Sequence, residues 1–168
     1  MTHLKAPPLT LRLGLAALAL MALSGCGFHP MYGPSLSPQL SSIYVEPIAD
    51  RDGYELRNTL IDLLGSNGQM RGKRYRLVIT LRESNQGVAL RNDAAITRYN
   101  DTLAASFVLT DMNGATVTEG TQTGLTAYNV TSSPYATQVA QQDADKRAAQ
   151  DIAERIRLDL AAFFRQRR

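Results

Sequence analysis

Two stretches of strict alternation between apolar and polar residues lie in the middle of the chain. From Tyr75 to Leu81 and from Leu103 to Leu109, the apolar residues occupy odd-numbered positions, which predicts two strands that are each buried on one side. In an antiparallel hairpin turning near Asn92, the numbers of paired residues keep a constant sum. The expected pairs are Leu81 with Leu103, Ile79 with Ala105, Leu77 with Phe107 and Tyr75 with Leu109.

Shorter patterns predict a strand and a helix ahead of this hairpin. Ile43 and Val45 alternate with polar neighbours, as in a short, half-buried strand. Asp52 and Glu55 have the spacing of a capping box, and apolar residues follow them at helical spacing. Gly65 ends this pattern, because a left-handed glycine commonly closes a helix.

A third strand and a long helix are predicted after the hairpin. A turn through Gly114 leads into a threonine-rich strand from Ala115 to about Tyr128. Ser132 or Ser133 can cap the last helix. Its buried stripe is predicted to comprise Ala149, Ile152, Ile156, Leu160 and Phe163. We therefore expect an α+β fold, with two helices packed on one face of a four-stranded antiparallel or mixed sheet and the other face uncovered.

The N-terminus has the pattern of an export signal. Lys5 and Arg12 precede an apolar run from Leu13 to Leu23, and Ser24-Gly25-Cys26 follows it. The run has about half the length of a membrane-spanning helix, which needs about 20 apolar residues. Because Leu23 to Cys26 resembles the lipobox of bacterial lipoproteins, we expect cleavage before Cys26 and a covalent lipid on its sulfur, which anchors the chain to a membrane.

This signal divides the chain into three predicted parts: a signal peptide over 1–25, a proline-containing lipidated tether over 26–42 and a single α+β domain over 43–168. The formal net charge is +3, and removing Lys5 and Arg12 with the signal lowers it by two, to about +1. A mature chain of nearly balanced charge gives no reason to expect a nucleic-acid partner.

Catalytic chemistry is poorly represented. His3 leaves with the signal, His29 lies beside the lipidation site, and Cys26 is consumed by modification. On the last helix, Asp143 and Asp145 are two residues apart and point to different sides. We therefore expect no enzyme, no metal site and no cofactor beyond the lipid on Cys26.

Arginines on one strand face form the candidate binding surface. Arg74, Arg76 and Arg82 have even numbers, so they lie on the strand face opposite the apolar residues, and Arg98 shares that parity across the hairpin. Such a face can bind phosphate groups. It can equally be a solvated face that keeps a half-covered sheet soluble.

The tip of the hairpin combines apolar and basic residues. Val88, Leu90 and Ile96 are even-numbered, so a regular strand places them on the uncovered face, beside Arg91 and Arg98. This arrangement would suit a phosphorylated glycolipid or the wall of a membrane barrel. A bulge at Gly87 is the alternative, because it would shift the parity by one and return the apolar residues to the core side.

Several short motifs resemble one lipoprotein family. Gly25 to Gly33 reads Gly-Cys-Gly-Phe-x-Pro-x-Tyr-Gly, Arg91-Asn92 precedes Tyr99, and Tyr128-Asn129 precedes the long final helix. In this order and over this length they resemble the LptE family of lipopolysaccharide-assembly lipoproteins, in its alphaproteobacterial form. The resemblance implies a periplasm-facing outer-membrane lipoprotein that sits inside a large LptD-like β-barrel translocon, aids its assembly and contacts lipopolysaccharide.

The residues also allow a different role for the same anchored domain. A lipid-anchored periplasmic adaptor would use the uncovered sheet face to bind another envelope protein without binding lipopolysaccharide. Co-purification distinguishes the two roles. A barrel that co-purifies with the protein favours translocon assembly, and a soluble or peptidoglycan-associated partner favours the adaptor.

Overall fold

The computed structural model describes residues 37–90 and 96–167. Its elements in chain order are α1 (Ser37–Ser41), β1 (Ile43–Val45), α2 (Asp50–Leu64), β2 (Tyr75–Leu90), β3 (Ile96–Asp111), β4 (Thr116–Asn129) and α3 (Pro134–Gln166). The predicted signal peptide, the lipidation site Cys26 and Arg91 lie outside the described residues. Of the described helices, none is long and apolar enough to cross a membrane.

The four strands form one mixed sheet in the order β1-β2-β3-β4. β1 runs parallel to β2, with α2 as the crossover between them, and the remaining pairs are antiparallel. α2 and α3 pack on one face of this sheet, which confirms the predicted α+β fold. The odd-numbered apolar side chains meet the helices there, and the core includes Leu77, Leu103, Phe107, Leu109, Leu60, Ile152, Ile156 and Leu160.

The register of the central hairpin differs from the predicted one by two residues. Leu81 pairs with Ala105 instead of Leu103, and Leu77 pairs with Leu109 instead of Phe107. The faces are nevertheless as predicted, because a shift of two residues leaves every side chain on the same side of a strand. The hydrophobic pattern therefore determined which residues are buried and left the pairing partner open.

The hairpin becomes irregular at Gly87, as the bulge alternative requires. The pairing with β3 shifts between Gly87 and Ala89 and again before Leu90. A Cβ on Gly87 would lie 2.8 Å from Ile96 Cδ1, so Ile96 covers the glycine on the side of the sheet that carries the odd-numbered core residues. The expectation that Ile96 lies on the uncovered face is therefore wrong.

The body of the protein begins earlier than predicted. Residues 37–41 form a helix where an extended tether was expected, and Leu40 is buried against the body. α2 is preceded by Ala49, whose side chain makes no capping hydrogen bond, so the capping box of Asp52 and Glu55 is wrong. Gly65 ends this helix in the left-handed conformation, with φ of 62°, as predicted.

α3 is held against the sheet along most of its 33 residues. Ser133 caps it, because its side-chain oxygen accepts a hydrogen bond from the Ala136 amide at 3.3 Å. A Cβ on Gly124 of β4 would lie only 3.0 Å from the Ala148 carbonyl oxygen, so the glycine permits close approach of the helix. Phe164, four residues after Leu160, is buried in place of Phe163.

Candidate functional site

The face of the sheet opposite the helices is uncovered, and we call it the open face. It is formed by the even-numbered residues of β2 and β3 and by their partners on β4. Short polar side chains dominate it, such as Ser106 and Thr121, whose hydroxyl oxygens are 3.3 Å apart. Apolar side chains interrupt this polar surface, such as Val78, which is 38% exposed, and Leu125, which is 76% exposed.

The predicted arginines are spread over this face. Arg82 and Arg98 are both exposed on it, but Arg82 pairs with Ala104, six residues along β3 from Arg98. At about 3.3 Å per residue, the two positions are roughly 20 Å apart. Arg82 and Arg98 are therefore two separate basic side chains, and the described residues form no single arginine pocket.

Arg74 and Arg76, the other two predicted arginines among the described residues, have local partners. Arg76 forms an ion pair with Glu46, with Nη1 3.1 Å from Oε1. The Arg74 guanidinium lies 6.0 Å from the ring centre of Tyr75, within the range of a cation–π contact. These contacts leave Arg82 and Arg98 as the better candidates for binding an external anion.

The hairpin end comprises residues 84–90 of β2 and 96–100 of β3. Val88 is 46% exposed and Ile96 is 36% exposed, which agrees with an apolar surface at this end. Arg98 keeps the regular pairing with β4 and lies on the open face, whereas Ile96 lies on the helix side. The structure thus brings Arg98 and Ile96 to the same end of the sheet but onto opposite faces.

A cluster of acidic side chains lies on the helix side, at the base of the hairpin end. Carboxylate oxygens of Glu83 on β2, Asp101 on β3 and Asp145 on α3 all lie within 4.8 Å of one another. We call these three residues the carboxylate cluster. Asp101 is only 1% exposed and Asp145 only 9% exposed, so the cluster places charge-bearing groups at the edge of the core.

Sequence reasoning missed this cluster, although two signals pointed to it. Asp101 has an odd number and therefore continues the buried face of Leu103 to Leu109. Asp145 lies four residues before Ala149, in line with the buried stripe of α3. Each of these two elements thus has an acidic residue at a position that the pattern predicts to be buried, and such a residue needs a partner.

Burial and mutual repulsion raise the pKa values of these carboxyl groups. The pKa of Asp145 rises to about 7, first because the group is buried and then because Asp52, at the start of α2, and Asp101 are close. Burial likewise raises the pKa of Asp101 and of Asp52. Protonated carboxyl groups or a bound cation would relieve this repulsion.

Two tyrosines lie next to the cluster. Tyr99 and Tyr128 stack with ring centres 5.5 Å apart. Burial raises the pKa of the Tyr128 hydroxyl, and the nearby Tyr99, Asp145 and Asp101 raise it further. The electrostatic influence of the acidic groups therefore extends to this aromatic pair.

The family model described as LptE, lipopolysaccharide-assembly, matches residues 40–160 of the chain. No curated protein matches it. Among solved structures, the chain is similar to a protein described as a lipoprotein from Caulobacter crescentus CB15, with 30% identity and a TM-score of 0.65. That match covers 77% of this chain and 95% of the other.

Two more distant structures share the fold. Rare lipoprotein B from Shewanella oneidensis is 10% identical, with a TM-score of 0.54, and the match covers 71% of this chain and 93% of that one. A minor lipoprotein from Acinetobacter baumannii is 17% identical, with a TM-score of 0.51, and the match covers 73% and 92% of the two chains. At this level of identity the likeness concerns architecture alone.

Proposed function

The chain belongs to the LptE lipopolysaccharide-assembly family, and on this premise we propose that it is an outer-membrane lipoprotein that binds a large β-barrel translocon and contacts lipopolysaccharide. A role in lipopolysaccharide assembly follows from the family. The barrel partner, the lipid contact, the lipid on Cys26 and the location in the outer membrane form the proposal.

The open face is the observation that best supports a barrel partner. Large outer-membrane barrels have a polar interior, which can be filled by another folded segment. The open face is rich in exposed hydroxyl groups, such as those of Thr80, Ser106 and Thr121, which can exchange water for hydrogen-bonding groups of a barrel wall. Leu125 adds one apolar contact near its middle. A sheet with an uncovered polar face thus suits a protein that fills a barrel.

The hairpin end supports a contact with lipopolysaccharide. This glycolipid carries phosphate groups beside acyl chains, so its binding site needs basic and apolar side chains close together. Arg98 and Val88 are exposed at the hairpin end, and Ile96 is exposed there on the helix side. Arg91 adjoins this region in sequence, between the two strands, and we propose that it is the principal phosphate ligand.

Charge reversal at the hairpin end tests this proposal. In the Arg91→Glu/Arg98→Glu variant, binding to immobilised lipopolysaccharide should weaken at least tenfold, because each lost charge-assisted hydrogen bond costs about 1.5 to 3 kcal/mol. Its melting temperature should change little, since Arg98 is exposed and outside the core. Binding assays and thermal melts of the same preparations provide the two readouts.

Arg71→Glu/Arg165→Glu is the matched control. Both residues are exposed, one in the turn before β2 and the other in the last turn of α3, and the change in net charge is identical. The control should bind lipopolysaccharide normally. Equal binding of lipopolysaccharide by both variants would contradict the lipid contact at the hairpin end. In a co-purification experiment, capture of a soluble envelope protein without a barrel would favour the adaptor role.

A further inference from the structure

We propose that Glu83, Asp101 and Asp145 bind a divalent cation of the hard, oxygen-preferring class, and that Ca²⁺ fits the site best. Asp52, at the start of α2, supplies additional negative charge. This inference goes beyond the proposed function, because it requires neither a barrel nor lipopolysaccharide. It gives these acidic residues a role, since apolar residues at the same buried positions would serve stability alone at least as well.

The spacing of the carboxylates suits Ca²⁺. Calcium binds oxygen ligands at about 2.3 to 2.6 Å, so ligands on opposite sides of the ion are about 4.6 to 5.2 Å apart. The three carboxylates offer oxygens that all lie within 4.8 Å of one another. One Ca²⁺ ion can therefore contact all three without a large movement of the backbone. Mg²⁺ demands a tighter and more regular shell.

Buried oxygens without partners provide an independent indication of a ligand. The Asp101 and Asp145 side chains hydrogen-bond to each other, but among the described residues the Oδ1 oxygen of each is buried and has no hydrogen-bond partner. Thr126 Oγ1, on the residue paired with Asp101 across β3 and β4, is also buried without a partner. Leaving such groups unsatisfied is costly. A cation between Asp101 and Asp145 would satisfy these two oxygens.

Among the described residues, no basic side chain compensates the cluster. The charged groups that act on Asp101 and Asp145 are all acidic, and the ion pairs of Arg76, Arg147 and Arg155 involve other carboxylates. Glu83 accepts one hydrogen bond, from Asn85 Nδ2 to Oε1 at 2.7 Å. Its other carboxylate oxygen remains available for a metal ion.

A cavity open to solvent lies beside the cluster, at Glu83. It has a volume of about 120 Å³ and is lined by Asp52 and Glu83, together with Leu81, Leu103 and the exposed residues Ala49 and Asp50. This volume exceeds that of an ion with several waters, which Ca²⁺ commonly retains. The lining includes Glu83 but neither Asp101 nor Asp145, so an ion entering past Asp52 would first meet Glu83.

A bound ion would join three elements where the apolar core ends. Leu103 on β3 and Ala144 on α3 are the buried residues nearest the cluster on their elements, and the hairpin end is largely exposed beyond them. Coordination by Asp101 and Asp145 would tie α3 to the sheet at this point. The ion would thus fix the position of the hairpin end relative to the domain.

Terbium luminescence tests this site directly, because Tb³⁺ replaces Ca²⁺ and is excited through nearby aromatic rings. The chain contains no tryptophan, so the signal would come from tyrosine, and Tyr99 and Tyr128 adjoin the cluster. The lipidated chain in non-ionic detergent should show saturable luminescence at one ion per chain, reversed by excess Ca²⁺. At about a hundred times its dissociation constant, Ca²⁺ should raise Tm by about 5 to 10 °C relative to EDTA.

Three variants decide the result. Asp101→Asn/Asp145→Asn should lose both responses without a lower Tm in EDTA, because the amides remove the repulsion. Glu83→Gln, at an exposed position, should bind at least tenfold more weakly and decides the question if the double variant does not fold. Asp143→Asn, exposed two residues before Asp145, should respond as the wild type does. The proposal is overturned if the folded wild type gives no saturable response, or if Glu83→Gln responds like Asp143→Asn.

Discussion

Asp101 sits on the same strand face as Leu103, Ala105 and Phe107, and only 1% of it is exposed to solvent. Asp145 approaches it from α3, within 4.8 Å between carboxylate oxygens. Two ionised carboxylates at this separation repel each other strongly when water is excluded. The pair is therefore compatible with a stable fold when a proton or a cation lies between the two carboxyl groups. The fold loses stability when both groups are ionised with neither between them.

This repulsion predicts an unusual dependence of stability on pH when cations are removed. The folded-state pKa of Asp145 is raised from 3.8 to about 7, so the folded protein binds more protons than the unfolded chain in this range. Its contribution to stability is present below about pH 4 and is lost as the pH rises to about 7. In EDTA, the urea midpoint of the wild type should fall more between pH 5 and 7.5 than that of Asp145→Asn. Identical pH profiles would contradict the buried-pair interpretation.

The elements show which features the sequence determined. Alternation identified the buried faces of β2 and β3, because only one parity gives an apolar face. It did not identify the pairing partner of Leu81, since registers two residues apart bury the same set. The position of Ile96 depends on the irregularity at Gly87, for which the sequence offered a bulge as an alternative. The carboxylate cluster arises from three elements distant in sequence, so local patterns could not show that its members meet.

The packing of α3 on the sheet should carry much of the stability. Ile156 is fully buried at the centre of the α3 stripe, and Phe107 is 2% exposed on β3. Replacing either by Ala should cost about 2 to 5 kcal/mol in the free energy of unfolding, because each leaves a cavity. Urea unfolding measures this cost. Val139→Ala, at a 45% exposed position on the same helix, is the control and should change the urea midpoint little. Equal shifts of the urea midpoint in all three variants would contradict the assigned core.

At the scale of the whole molecule, the two ends of the domain differ in character. At one end, Tyr75 and Phe164 pack with ring centres 5.2 Å apart and close the core. At the other, the core stops at the carboxylate cluster, and the hairpin end continues with mostly exposed side chains. Stability is therefore concentrated in one part of the domain, which leaves the hairpin end and the open face available for contacts with other molecules.

We propose that this lipoprotein works in lipopolysaccharide assembly as the partner of an outer-membrane barrel. Affinity capture of the native protein from detergent-solubilised membranes, followed by mass spectrometry, tests it most directly. We expect a β-barrel protein in near-equal amount, together with an N-terminal peptide that begins at Cys26 and carries the mass of a covalent lipid. An unmodified Cys26 would contradict the lipid anchor, and a soluble or peptidoglycan-associated partner in place of a barrel would contradict the proposed function.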